Sequence, residues 1–392
     1  MNPGDIKCEV LHKTLDQDMD EILESWRSWN ENCNEGFMFQ SPDFLEHIFS
    51  DEKKNIHLFF ILIDGKIAGI APFCLRKVAL ECKIGEVTIF NFYIQRMYLL
   101  GEKINSIPNI EIYDKIFNII LSLKDLDALY FQSLDIDSYL YHYLSTSTLI
   151  KKYFSMYAPT CPKKYSMINL SGTFDEYMKK FSKKTQHNRM REIRKFERAG
   201  KSELVCITRE EDVEDFINLA SEVSRKTYQY NLLKLGLRDI ESLQKRLKTL
   251  AKYGWLRSYL LKLDDVPCSF MIGYQDKKNF YPIHMGYDPK YSNYEVGNVL
   301  LFLILQDLFR LNTHQYFQFG MGGGFHKDFF SNCNYTETSV YFFKKKFYSL
   351  LSYKIYQFFI FFTNSIKFIL DFFHIKKSIK KMIRYLSTIK SK

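Results

Sequence analysis

Between Arg257 and Phe330 the sequence gathers His284, Tyr287, Asp288 and Lys327 around Gly297, the glycine that leads the apolar run NVLLFLILQDLFRL. An imidazole takes up a proton near neutral pH, a phenol can donate one, and a lysine ammonium can pair with a phosphate or a developing oxyanion. Those are the groups that transfer of an acyl unit to an amine or hydroxyl requires: the acceptor must lose a proton, the carbonyl must be polarised and the leaving group protonated. Each residue also has a plainer role. His284 can be a packed, hydrogen-bonded strand histidine, Asp288 precedes Pro289 and suits a turn, and Lys327 follows a glycine run where a lysine is usually solvated.

The surrounding pattern would place these groups on a small sheet. Arg257 to Leu263 and Cys268 to Tyr274 flank Asp264-Asp265-Val266-Pro267 and read as a β-hairpin. Asn279 to Tyr287 is a third strand after the turn Asp276-Lys277-Lys278, and Tyr316 to Phe319 is another after the apolar run. The run itself is long and free of interior Gly or Pro, which predicts a buried helix. Its first amides, at Val296, Gly297, Asn298 and Val299, have no partner within a helix and form a site for a pyrophosphate, with Gly297 permitting close approach.

Three antiparallel strands, a glycine-led helix and a further strand resemble the core of the GNAT acyltransferases. YEVGNVLL from Tyr294, YDPKYS from Tyr287 and FGMGGGFHKDFF from Phe319 are similar to the CelD-like, cellulose-biosynthesis-type branch, related to the double-GNAT FemAB peptidyltransferases. Within that branch Lys327 matches the terminal lysine of the glycine-rich segment, whereas Gln318 stands where an acid is usual. The resemblance implies an acyl-CoA co-substrate such as acetyl-CoA, its pyrophosphate on the helix at Gly297, and no metal. It also implies a mixed α/β (α+β) fold of two tandem GNAT-like lobes, each a central mixed sheet flanked by helices.

Two basic segments sit on an otherwise acidic chain of net charge +10. From Lys179 to Lys201 ten cations face two acids, and from Lys344 to Lys392 twelve face one. Such an uneven distribution points to local anionic partners and argues against a uniformly basic nucleic-acid-coating protein. The first segment reads as a helix from Ser182 to Gly200, preceded by a capping box at Thr173 and Glu176. It is either a solvated basic helix or, as the resemblance implies, a holder of CoA or acceptor phosphates, with Lys183, Lys184 and His187 as substrate-binding candidates. Gly322 and His326, beside Lys327, are further candidates. Tyr228, Tyr230 and Leu233 either pack or wall an acceptor cleft.

At 392 residues, 46% of them hydrophobic, the chain can support two cores. The expected division is an N-terminal lobe over 1–164, an acyltransferase lobe over 165–343 and a basic amphipathic tail over 344–392. Ile63-Asp64-Gly65-Lys66-Ile67-Ala68 aligns with Leu263-Asp264-Asp265-Val266-Pro267-Cys268 at an offset of 200 residues, a short match that a duplicated unit would leave. In the first half, residues 1–55 read as helical, with Asp18 to Trp29 as one helix and Ser41-Pro42-Asp43 opening another. Strands follow at His57 to Leu75 and Glu86 to Tyr98, then a helix near Tyr113 to Leu123 and a strand from Asp127 to Leu134. Tyr153 to Lys164 reads as a linker, and residues 205–253 as helical throughout. Eight scattered cysteines, without a C-x-x-C pair, suggest reduced thiols and neither zinc nor disulfides.

MNPGDIKCEV has no apolar signal segment, so a cytoplasmic location is expected. From Phe347 the tail suits an interfacial helix followed by a basic run, Lys376, Lys377, Lys380, Lys381 and Arg384, for anionic lipid. A membrane span and a helix packed on the body are the alternatives. The leading expectation is an acyl-CoA-dependent N- or O-acyltransferase acting on an anionic small-molecule or lipid-linked precursor of polysaccharide or cell envelope, peripheral at the inner face of the membrane. FemAB-like aminoacyl transfer from tRNA and a non-catalytic, membrane-docked polysaccharide-biosynthesis factor are the other readings.

Overall fold

The computed structural model describes residues 7–33, 38–84, 87–101, 104, 109–227, 236–320 and 324–372. The chain divides into two compact units: residues 1–17, 52–162 and 338–392 form one, and 18–51 and 163–337 the other.

In the first unit β1 (Cys8–Thr14), β2 (Ile56–Ile63), β3 (Lys66–Ile84) and β4 (Val87–Leu99) pair antiparallel in sequence order. Two helices of the other unit, α1 (Asp20–Asn32) and α2 (Pro42–Ile48), interrupt the sequence between β1 and β2. Ser41 caps α2 and Pro42 opens it, as the sequence predicts. After β4, α3 (Ile110–Ser122) crosses to β5 (Ala128–Asp135), which pairs parallel to β4. Helices α4 (Tyr139–Thr146) and α5 (Thr148–Tyr153) lead to β6 (Phe154–Tyr157). The core is aromatic and aliphatic, with Phe59, Phe73, Phe117 and Phe131 buried between sheet and helices.

The second unit repeats this order. β7 (Lys163–Asn169), α6 (Phe174–Met178) and α7 (Lys183–Glu197) precede β8 (Ser202–Ile207), and α8 (Val213–Lys226) and α9 (Ile240–Lys252) precede β9 (Ser258–Leu263). Strands β8, β9, β10 (Val266–Gln275) and β11 (Asn279–Tyr287) pair antiparallel in order. Then α10 (Val296–Leu311) crosses to β12 (Tyr316–Gln318), parallel to β11. The short helix α11 (Phe325–Phe330) leads to β13 (Cys333–Lys344), whose residues 333–337 pair with β7; residues 338–344 belong to the first unit, and 341–344 of them pair with β6. Helix α12 (Phe347–Phe372) follows. Four antiparallel strands, a crossover helix and a parallel fifth strand therefore occur twice. The two hairpin tips also match: the amide of Asp64 donates to Lys7 O at 3.1 Å, and that of Asp264 to Lys201 O at 2.9 Å. Each unit is a mixed sheet flanked by helices.

Three expectations are corrected. Residues 1–55 are not helical throughout, because CEVLHKT pairs along β2 as an edge strand. Residues 205–253 begin with the end of β8, and Tyr153 to Lys164 contains β6 and the start of β7. In all three cases the stabilising backbone bonds come from strands distant in sequence, which local pattern does not register.

Candidate functional site

The glycine-led helix is held from within. Its apolar residues, from Val296 and Val299 to Leu308, are buried against the sheet. Asp307 accepts from Arg257 Nη2 at 2.6 Å and from the Tyr259 hydroxyl at 2.9 Å, tying α10 to β9. The Arg257 guanidinium, the Tyr259 hydroxyl and Arg310 together hold the Asp307 carboxyl below its ordinary range, against the effect of its burial. Val296 and Val299 thus contribute their side chains to the core. Glu295 O accepts from the amides of Asn298 and Val299, at 2.8 and 3.0 Å, and no side chain caps the helix. The amides of Val296 and Gly297 remain at the open end. The equivalent helix of the first unit differs, because Asn109 caps α3 by accepting from Glu111 N at 2.8 Å.

Basic helix α7 lies beside the turn that leads into α10. Ile193 and Phe196 are buried, and the opposite stripe carries His187, Arg191, Arg194, Lys195 and Arg198. These five line a cavity of about 800 Å³ together with Asn293, Tyr294 and Glu295, the residues leading into Gly297. Lys195 Nζ donates to Asn293 O at 2.8 Å and lies over the Tyr294 ring, joining the two walls. A glycine fixes the end of α7: a methyl group at position 200 would collide with the Asp264 carboxylate, whose Oδ1 accepts from Lys201 N at 2.8 Å. Lys183 and Lys184 are exposed in the first turn of α7, beyond the residues that line this cavity. Two cations at a helix N-terminus oppose the helix dipole, so local helix stability does not explain them. The spacing i, i+4, i+7, i+8, i+11 from His187 was legible in the sequence and identifies Arg191, Arg194, Lys195 and Arg198 as members of one face.

Strand β11 opens toward its parallel neighbour. It pairs with β12 only at Asn279 and Phe280, although it continues to Tyr287. Ile272 faces His284 and Gly273 faces Pro282, so Ile283 is the extra residue of a β-bulge. Beyond Phe280 the β12-facing edge of β11 offers backbone groups to an extended ligand. His284 is exposed there; partial desolvation, and then Arg246, hold its imidazole below the ordinary histidine value. Tyr287 ends the strand with its ring against Gly297.

Asp288 is buried and committed to structure. It accepts from Lys290 N at 2.9 Å, capping the turn Pro289–Tyr294, and pairs with Lys226 at 3.3 Å. Lys327 lies on α11, where its ammonium donates to Gly320 O at 3.2 Å; burial holds its pKa below the ordinary lysine value, with Glu337 opposing. His326 packs on Phe330, and burial followed by Arg189 lowers its pKa. Lys180 Nζ donates to Phe329 O at 2.9 Å, and Tyr177 OH to Phe330 O at 2.7 Å, so the segment entering α7 anchors the helix that bears Lys327. Gln318 is buried and donates to Asn279 Oδ1 at 2.8 Å. Gly322, Tyr228, Tyr230 and Leu233 lie outside the described residues. Among the described residues no group of three or more His, Cys, Asp or Glu is arranged to hold a metal.

A family profile described as an acetyltransferase (GNAT) domain matches residues 183–328, the segment from the start of α7 to α11. No curated protein matches in sequence. Among solved structures, FemX superposes with a TM-score of 0.63 at 10% identity, covering 89% of this chain and 100% of its own. The C-terminal DUF2156 domain of a protein described as a lysylphosphatidylglycerol synthetase, from Agrobacterium fabrum, does so with a TM-score of 0.51 at 10% identity, covering 85% and 95%. At that identity the likeness is one of fold. Residues 183–328 therefore match a GNAT acetyltransferase domain, the chain shares its fold with FemX, and the matched segment contains both walls of the basic cavity.

Proposed function

We propose that this chain is an acyl-CoA-dependent N- or O-acyltransferase of the CelD-like branch, acting on a polysaccharide or cell-envelope precursor at the cytoplasmic face of the membrane. One observation carries the reading: the basic stripe of α7 shares a cavity large enough for a nucleotide with Asn293, Tyr294 and Glu295, the residues that lead into the uncapped start of α10. The amides of Val296 and Gly297 would receive the CoA pyrophosphate, and Arg191, Arg194 and Arg198 its remaining phosphate charge. The pantetheine arm would run along the open edge of β11 toward the bulge at Ile283.

In this assignment His284, neutral at pH 7, takes the proton from the acceptor nitrogen or oxygen as it attacks the thioester carbonyl. The carbon–sulfur bond then breaks, and His284 returns the proton to the departing thiolate, while Tyr287 lies at the pyrophosphate end of the path, against Gly297. Lys327 and His326 contact the acceptor, and Lys183, Lys184 and His187 attract its anionic groups. Asp288 acts through the turn that sets the start of α10.

Aminoacyl transfer from tRNA is the second reading, favoured by the length of the basic stripe. The eleven helical steps from His187 to Arg198 extend about 16 Å, more than one pyrophosphate spans. Calorimetric titration with acetyl-CoA, a longer acyl-CoA and a charged tRNA separates these readings. Binding of an acyl-CoA alone supports the first, binding of charged tRNA alone the second, and binding of neither leaves a non-catalytic factor.

A further inference from the structure

Helix α12 is amphipathic in the reverse of the usual sense. Its inner face is polar and aromatic: Ser349 and Ser352 are buried, Ser349 Oγ donates to Asp127 Oδ1 at 2.8 Å, and Tyr353 and Tyr356 pack against Tyr157. Its outer face carries Phe347, Leu351, Phe358, Phe361 and Phe362, with Phe347, Phe358 and Phe361 at 86, 60 and 70% exposure. At 100° per residue these five fall within about one third of the helix circumference. The helix is packed on its own unit, since Phe359 meets Phe90 edge-on, Tyr348 OH donates to Tyr93 O at 2.8 Å and Thr363 Oγ1 to Lys83 O at 2.8 Å. The exposed phenylalanines are therefore a fixed surface.

We infer that this face docks, parallel to the plane, into the interfacial layer of an anionic bilayer. Charge selects that occupant. Lys345, Lys346 and Lys354 are exposed on α12 and just before it, Lys354 falls within the phenylalanine stripe, and the sequence beyond adds Lys376, Lys377, Lys380, Lys381 and Arg384. An isologous contact with a second copy would set these cations against their own equivalents, whereas an anionic headgroup layer complements them. No helix among the described residues is long and apolar enough to cross a membrane, and a helix with one apolar face lies in the interface.

The inference gives a structural basis to the membrane location proposed above and is separable from it. Sedimentation with vesicles of phosphatidylcholine and phosphatidylglycerol compares the full chain with its Phe358→Ser/Phe361→Ser variant, which leaves the inner contacts of α12 in place. The expected result is binding of the full chain and a loss of on the order of ten-fold or more in the variant, given the apolar area withdrawn. Equal binding by both proteins overturns this surface and leaves the membrane location standing; no binding by the full chain overturns both. A Phe361→Trp variant gives a second measurement, with quenching by lipids brominated on the acyl chain near the headgroup expected. Absence of quenching while the protein sediments with the vesicles, or concentration-dependent dimerisation abolished by the double substitution, refutes the assignment.

Discussion

The ring of Tyr287 lies against the backbone of Gly297: a methyl group at position 297 would stand 3.4 Å from Tyr287 Cδ1. The end of the opened strand thus touches the start of the glycine-led helix, and Tyr287 flanks the proposed phosphate site. Gly297→Val would crowd the ring and cover the helix start while leaving ordinary helical backbone. Acyl-CoA affinity should fall ten-fold or more with the melting temperature little changed, and calorimetry showing unchanged affinity in a folded variant would remove the pyrophosphate assignment.

Neutralising the basic stripe should act in the same assay. Arg194→Ala and Arg198→Ala are each expected to weaken acyl-CoA binding by about ten-fold, consistent with loss of a charge-assisted hydrogen bond. Lys245→Ala, on a lysine paired with Glu241 and largely exposed on α9, is the control. An equal effect at all three positions would point to nonspecific charge attraction.

His284→Ala should lower kcat by about 10² to 10⁴ with a small change in acyl-CoA affinity. Because the folded imidazole titrates below its ordinary value, the wild-type rate should rise with pH on a limb below about 6.5 and be level at neutrality. A pH–rate profile with the same acid limb in the variant would exclude His284 as the base.

Two buried histidines predict how stability depends on pH. His57, stacked on His12 with their ring nitrogens 3.0 Å apart, and His314 are both pushed down to about 4, chiefly by burial. The unfolded chain binds their protons first, near pH 6.5, so their contribution is complete above that value and is lost as pH falls toward 4. Each accounts for on the order of 2 to 3 kcal/mol over that window. Urea titrations at pH 7 and pH 4.5 should show the loss, and His314→Phe should remove about half of it.

Asp307→Ala would leave the Arg257 guanidinium buried without its carboxylate, at a cost of about 3 to 5 kcal/mol in urea unfolding. Asp307→Asn, which keeps an acceptor for Tyr259, should lose less. Equal stability of the three proteins would mean that α10 is fixed by its apolar face alone.

Much of the core was legible because its signals are local. The hairpin at Asp264, the third strand, the buried helix after Gly297 and the caps at Ser41, Thr173 and Ser182 follow from alternation, apolar period and side chains that bond amides within one turn. The short match between the hairpins at Asp64 and Asp264 also marked a repeat that topology displays in full. Strands β1, β6 and β8 were missed because an edge strand is specified by a partner far away in sequence.

The sequence alone determined which residue types were present for acyl transfer and that α7 would carry dense positive charge. Tertiary structure decided which of them meet. It set Arg191, Arg194, Lys195 and Arg198 opposite the entry to Gly297, gave Asp288 two structural partners, and turned the serines of α12 inward and its phenylalanines outward. The periodicity of a helix fixes which side chains share a face, but the direction that face takes depends on surfaces supplied by strands tens to hundreds of residues away.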